Sequence, residues 1–242
     1  MRKLWTTHKG WGVGLAAFSV LVLALYAYAV VDALGVHSFT FDPNQTKLVS
    51  AEWMNGAGCP TGATVVPFGR PPFVFTDAAC PTGDSTDNLN KGLVLVKTGP
   101  TRNFASADAF ITGVNGITLT ELGYDIRTGS HCGAGAPRFN VVTSDGVLHF
   151  VGCNTGTPGP SSDGWTRLRW SAAALAATGP IPPQTAFPPI PLGSTVKSID
   201  IIFDEGQDLG PGCTDLGGKG CASAGFAVLD NIDINGTLKG KE

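Results

Sequence analysis

Two short stretches place charged and aromatic side chains on alternate positions. In 117–127, Glu121, Asp125 and Arg127 alternate with Leu122, Tyr124 and Ile126; in 165–170, Trp165, Arg167 and Arg169 alternate with Leu168 and Trp170. Successive side chains of an extended strand point to opposite faces, so each stretch has one polar and one apolar face. A third segment offers Arg138 and Asn140 on one strand and His149 on the next. If these strands are neighbours, one sheet face gathers Arg, Asp, Glu, Asn, His and a Trp. That mixture suits sugar recognition, in which an aromatic ring stacks on the pyranose and fixed polar groups bond its hydroxyls. The reading requires Trp165 to stand exposed beside Arg167 and Arg169 in a groove. The competing reading is the wet face of a half-exposed sheet.

Asp230 shares a period-two stripe with Phe226, Val228, Ile232 and Ile234, which places it toward a core. A buried carboxylate needs a partner, whether an Arg, backbone amides or a metal ion. Structural Ca²⁺, which takes 6–8 oxygen ligands, is the candidate ion. Asp84, Asp87, Asn88 and Asn90 form one oxygen-rich loop, and Asp204, Glu205 and Asp208 another. Neither has EF-hand spacing, and Asp and Asn are also common turn residues. His131-Cys132 and His149 with Cys153 have ligand types for zinc, but outside the cytoplasm those cysteines are expected to pair with each other. Catalytic signals are weak, with no G-x-S-x-G elbow and no H-E-x-x-H motif. Glu121 and Asp125 lie roughly 13 Å apart along an extended strand, too far for a glycosidase pair at about 5–9.5 Å. A carboxylate from another strand would be needed. Asn44-Gln45-Thr46 and Asn235-Gly236-Thr237 are glycosylation sequons, informative only in a eukaryotic source.

The elements that must hold these residues are short. Strand-like runs punctuated by Gly, Pro, Asn and Asp fall at 47–53, 64–68, 73–76, 93–97, 117–127, 138–143, 147–151, 165–170, 196–203 and 226–234. Only 171–177 reads as helical. The segment 178–194 carries six prolines and is expected to be an extended surface loop. Many strands without intervening helices point to an antiparallel sandwich, because parallel strands need helical crossovers. One hairpin is specified closely: Asp145-Gly146 is the favoured two-residue turn, which sets Val142 opposite His149 and Val141 opposite Phe150. Cys132 and Cys153 then lie near its open end.

The chain has 242 residues, a net charge of −3 and only 14 % charged residues. It has no basic cluster beyond its start, which argues against a nucleic-acid partner. Arg2, Lys3 and Lys9 precede an uncharged run from Gly10 to Val31. A positive flank before an apolar run is the export pattern. Two outcomes fit: cleavage at Ala27-Tyr28-Ala29, or retention as a membrane anchor long enough to span about 30 Å. The remainder is extracytoplasmic either way. All six cysteines follow that run, and an even number in an exported chain implies three disulfides. Proximity favours Cys59–Cys80, Cys132–Cys153 and Cys213–Cys221.

The C-terminal third adds a resemblance. The run 196–203 leads into Asp204-Glu205-Gly206, and Phe226-Ala227-Val228-Leu229-Asp230-Asn231-Ile232 follows. Together they resemble the closing strands of galactose-binding-like jelly rolls, which include many carbohydrate-binding modules. The last strand of those modules often carries Asp-Asn before a β-branched residue and lies near a structural Ca²⁺. The resemblance implies that Asp230 is the position to touch such an ion. The expectation is therefore one hydrophobic N-terminal helix (1–35, signal peptide or anchor) followed by a disulfide-stapled all-β sandwich of jelly-roll type (36–242). Its expected role is non-catalytic binding of glycan or another cell-envelope component. A structural or adhesive envelope protein is the alternative, and a glycan-cleaving hydrolase the third.

Overall fold

Strands that are apolar on one face only must bury that face against another layer, and two such sheets solve the problem by packing together. The structure, a computed structural model, describes residues 33–59, 64–65, 73–74, 90–99, 105–162, 164–204 and 225–240. All of these but Ala33 belong to one unit, Leu34–Glu242. Among the described residues the strands are β1 (Gly35–Phe41), β2 (Val49–Met54), β3 (Thr64–Val65), β4 (Phe73–Val74), β5 (Gly92–Lys97), β6 (Ser106–Thr112), β7 (Glu121–Arg127) and β8 (Arg138–Thr143). The series continues with β9 (Leu148–Gly152), β10 (Thr157–Ser162), β11 (Trp165–Ser171), β12 (Ala186–Phe187), β13 (Val196–Phe203), β14 (Gly225–Ile234) and β15 (Thr237–Lys239). A single helical turn, Ala172–Leu175, lies within the expected helical stretch.

Six strands form one sheet in the order β1-β6-β13-β8-β9-β12. Seven form the other, in the order β10-β11-β7-β14-β5-β2 with β15 added beside β14. The chain is thus an antiparallel β-sandwich, as its alternating pattern predicts. Leu122, Tyr124 and Ile126 of β7 meet Phe139, Val141, Ile199, Ile201 and Phe203 of the opposite sheet in one core. Tyr124 and Trp170 from one sheet clasp Phe139 from the other, with ring centroids 5.3–5.8 Å apart. Their polar tips are satisfied: Tyr124 donates to the Pro137 carbonyl and the Trp170 indole to Thr155. Each such fully buried ring contributes on the order of 1.5–3 kcal/mol.

The hairpin turn has three residues, not two. The Asp145 carboxylate accepts from the Thr143 hydroxyl at 2.6 Å and from the Val147 amide at 3.1 Å, and of the turn residues only Gly146 has positive φ (+85°). A two-residue type I′ turn needs positive φ at both central positions, whereas a three-residue loop needs it at one. Register therefore shifts by one, pairing Val141 with His149 and Asn140 with Phe150. A one-residue slip turns a strand over, so His149 faces inward. The apolar stripe of β14 is also broken. Asn231 adopts φ 46°, and the pairing with β7 shifts between Asp230 and Asp233. One extra residue there reverses the alternation, so Ala227, Leu229, Ile232 and Ile234 face the core while Asp230 faces outward.

Strands β1, β6, β10, β12 and β15 are beyond what the sequence reading found. Strand β10 contains two prolines and β12 lies in the proline-rich stretch, and both are edge strands, where a missing amide is tolerated. Cys132 and Cys153 form the expected disulfide, Cα atoms 5.1 Å apart, which removes the zinc alternative at those cysteines. Cys59 is also disulfide-bonded; Cys80, Cys213 and Cys221 lie outside the described residues. So does almost all of the expected targeting segment. Among the described residues no helix is long and apolar enough to cross a membrane.

Candidate functional site

The outer face of the seven-stranded sheet holds Asp125, Arg127, Trp165, Arg167 and Arg169, the larger part of the expected ligand set. Strands β7 and β11 are neighbours, with Trp165 opposite Arg127, Arg167 opposite Asp125 and Arg169 opposite Gly123. Asp125 is fully buried. It accepts from Arg167 Nε at 2.9 Å and Nη2 at 3.2 Å, and from Asn231 Nδ2 at 2.9 Å. Arg169 lies across Gly123, where a side chain would collide with it, and its Nε meets Asp233 at 2.8 Å. Burial, then the charge of Asp233, holds the neighbouring Glu121 carboxyl above the usual range. These groups consume one another's hydrogen-bonding capacity. Trp165 is only 4 % exposed and packs with Cys59 and Val228, so the expected exposed stacking platform is not there. The face is a charged brace beneath the chain at Gly58 and Cys59.

Asp230 and Asn90 belong to the same seam. Asp230 accepts from the backbone amide of Cys59 at 2.6 Å and from that of Asn231 at 2.7 Å. Backbone amides thus supply partners that its burial demands. Asn90 donates through Nδ2 to the Gly58 carbonyl and accepts the Gly58 amide at its own carbonyl. A side chain at Gly58 would lie 2.7 Å from an Asp230 oxygen, which explains the glycine there. Asp84 and Asp87 lie outside the described residues. Among the described residues no group of three or more His, Cys, Asp or Glu could hold a metal ion.

Arg138, Asn140 and His149 lie on the other sheet, so the structure does not bring them to Arg167 and Arg169. His149 is buried: its ring reaches Thr143 Oγ1 at 3.1 Å and the Pro188 carbonyl at 2.8 Å. It is a satisfied interior histidine. Arg138 and Asn140 face outward, on a surface of different character. One cross-strand row runs His37, Phe110, Asp200, Asn140, Phe150 and Phe187 over all six strands. Phe110 is 41 % exposed, Phe150 40 % and Phe187 69 %. The His37 ring stacks on Phe110 with centroids 4.8 Å apart. Arg138 is forked onto Asp204 at 2.6 and 2.8 Å, donates to Asn140 Oδ1 at 2.9 Å, and lies 5.6 Å from the Phe150 ring centroid.

The carboxylates of this face differ from the braced ones. Asp200, midway along the row, accepts no hydrogen bond from a described residue, and burial raises its carboxyl above the usual range. Asp108 sits in the adjacent row between Phe39 of β1 and Ile202 of β13. It is 2 % exposed; one oxygen accepts from Ser106 at 2.8 Å and the other has no partner. Burial pushes its pKa up to about 7, the Ser106 hydrogen bond opposing and the Asp204 carboxylate adding to the rise. A separate apolar depression of about 250 Å³ lies between Phe226 and His131, beside the adjoining ends of β5 and β14 in the other sheet.

Sequence reasoning missed Phe110, Phe150, Phe187, Asp108 and Asp200 as a group. A signal existed in Ser106–Thr112, where Asp108 and Phe110 alternate with Ala107, Ala109 and Ile111. Small alanines on the inner face made that contrast weak. Compared with known proteins, the chain matches no protein-family model, no curated protein and no solved structure.

Proposed function

We propose that this chain is an exported, non-catalytic glycan-binding module of jelly-roll type, secreted or anchored at the cell surface. Its site is the outer face of the six-stranded sheet rather than the Trp165 face. One observation carries this reading: exposed aromatic rings on the row flank a carboxylate and an amide whose hydrogen-bonding capacity is not used up. Flat rings take the apolar face of a sugar, and Asp200 and Asn140 bond its hydroxyls. Export is supported by the basic-then-apolar start and by the disulfide chemistry of the domain.

The test is a glycan-array screen of the oxidised full-length chain, run with Ca²⁺ and again with EDTA. Specific binding is expected, weakened roughly three- to tenfold by Phe110→Ala or Phe150→Ala, the size of an aromatic contact. Arg127→Ala, exposed on the opposite sheet, should leave it unchanged. A second reading, an adhesive envelope protein, draws on Ile181 (93 % exposed), Leu192 (70 %) and Phe187 (69 %) in the proline-rich segment. A folded sample that binds no glycan would favour it.

A further inference from the structure

We infer that the ligand of this face is a linear, uncharged glycan lying across the strands, with separate sugar residues seated at Phe110 and at Phe150 and Phe187. The inference rests on the glycan-binding reading and adds the ligand's length, direction and charge. Length and direction follow from register. Phe110 is paired with Asp200, Asp200 with Asn140, and Asn140 with Phe150. The two rings are therefore three strand spacings apart, about 14 Å at about 4.8 Å per spacing. Phe187 lies one spacing further, opposite Phe150. One sugar ring cannot reach both ends of such a row, but a chain of several residues can. The rings are aligned perpendicular to the strands, so the chain must run that way to use them together.

Charge follows from which polar groups remain unsatisfied. Arg138 is already committed to Asp204 and to Asn140 Oδ1, and it does not present an open fork to an acidic sugar. Asn140 keeps its amide donors, and Asp200 keeps both carboxylate oxygens free of described partners. A carboxylate midway between the aromatic seats accepts hydrogen bonds from sugar hydroxyls and repels a uronate. Like charge at short range in a partly desolvated site is costly.

Calorimetric titration of the full-length chain tests this with defined length series, from monosaccharide to hexasaccharide, of linear β-glucan, β-mannan, β-xylan and polygalacturonate. One uncharged series should bind, with affinity rising roughly tenfold or more between the trisaccharide and the hexasaccharide. Phe110→Ala and Phe150→Ala should each remove that rise while leaving the circular dichroism spectrum unchanged. Asp200→Asn should weaken the uncharged ligand and narrow its advantage over the galacturonate. Binding without length dependence, or sensitive to only one ring, would overturn the extended ligand and leave glycan binding standing. Preference for the galacturonate series would overturn the uncharged assignment. Absence of binding to every series by a folded sample would remove both the inference and the reading beneath it.

Discussion

The Asp108→Asn variant is expected to be more stable than the parent chain at pH 7.5, and to lose most of the parent's dependence on pH between about 4 and 7. Asp108 keeps its proton to about pH 7 in the folded state, against 3.8 for the free side chain. Between those values folding retains a proton that the unfolded chain has released. Stability from this group is therefore fully present below about pH 4 and lost as pH rises through about 7. The size is on the order of 4 kcal/mol, at 1.36 kcal/mol per pH unit. The groups that face Asp108 explain the direction: Phe39 and Ile202 desolvate it, the Asp204 and Asp200 carboxylates oppose its charge, and Arg138 and Ser106 compensate only in part. Asparagine imitates the protonated acid without being able to ionise. Asp200, Asp125 and Glu121 are raised in the same sense, so a reduced slope should persist in the variant. Urea unfolding at pH 5 and pH 7.5 under oxidising conditions measures it. A parent chain equally stable at both values would rule out a neutral Asp108.

Asp125→Ala should cost about 3–5 kcal/mol, the range for removing one member of a buried ion pair. The carboxylate is fully buried, whereas its partner side chains Arg167 and Arg169 are 20 % and 18 % exposed. Truncation strips a two-point partner from Arg167 and the acceptor from Asn231 Nδ2. Asn231 is also the positive-φ residue of the bulge in β14, so the loss falls where the strand's alternation reverses. Arg127→Ala, exposed on the same face of β7, should change stability by less than about 0.5 kcal/mol. Urea unfolding of both variants separates the cases. A loss below about 1 kcal/mol for Asp125→Ala would mean that the brace is incidental to stability.

The outer faces of the two sheets look alike in the sequence. Both alternate polar and apolar residues, and both mix charge with aromatic rings. Their difference lies in what covers them. Trp165 is closed over by Cys59 and Val228, whereas Phe110 and Phe150 remain open. Residues more than a hundred positions apart decide this, as when the Cys59 amide meets Asp230.

What the sequence by itself determined is local. Period-two alternation assigned the two faces of β7 and β11 correctly, because strand geometry alternates whatever the neighbours are. The separation of 21 residues between Cys132 and Cys153, flanking one hairpin, made their pairing readable. Asp145-Gly146 located the turn, though the carboxylate's own hydrogen bonds chose a three-residue loop and so moved His149 to the interior. Which strands lie side by side was decided only in the tertiary structure. Backbone hydrogen bonding between strands does not depend on side-chain identity, so nothing in the Arg138 segment marks it for the sheet opposite Arg167. The Asn231 bulge is of the same kind: a single change of φ reverses the stripe of β14, and it is held by Asp125 on another strand. The row from His37 to Phe187 exists only because five separate pairings come into register, a condition that packing of the whole sandwich imposes and no single segment encodes.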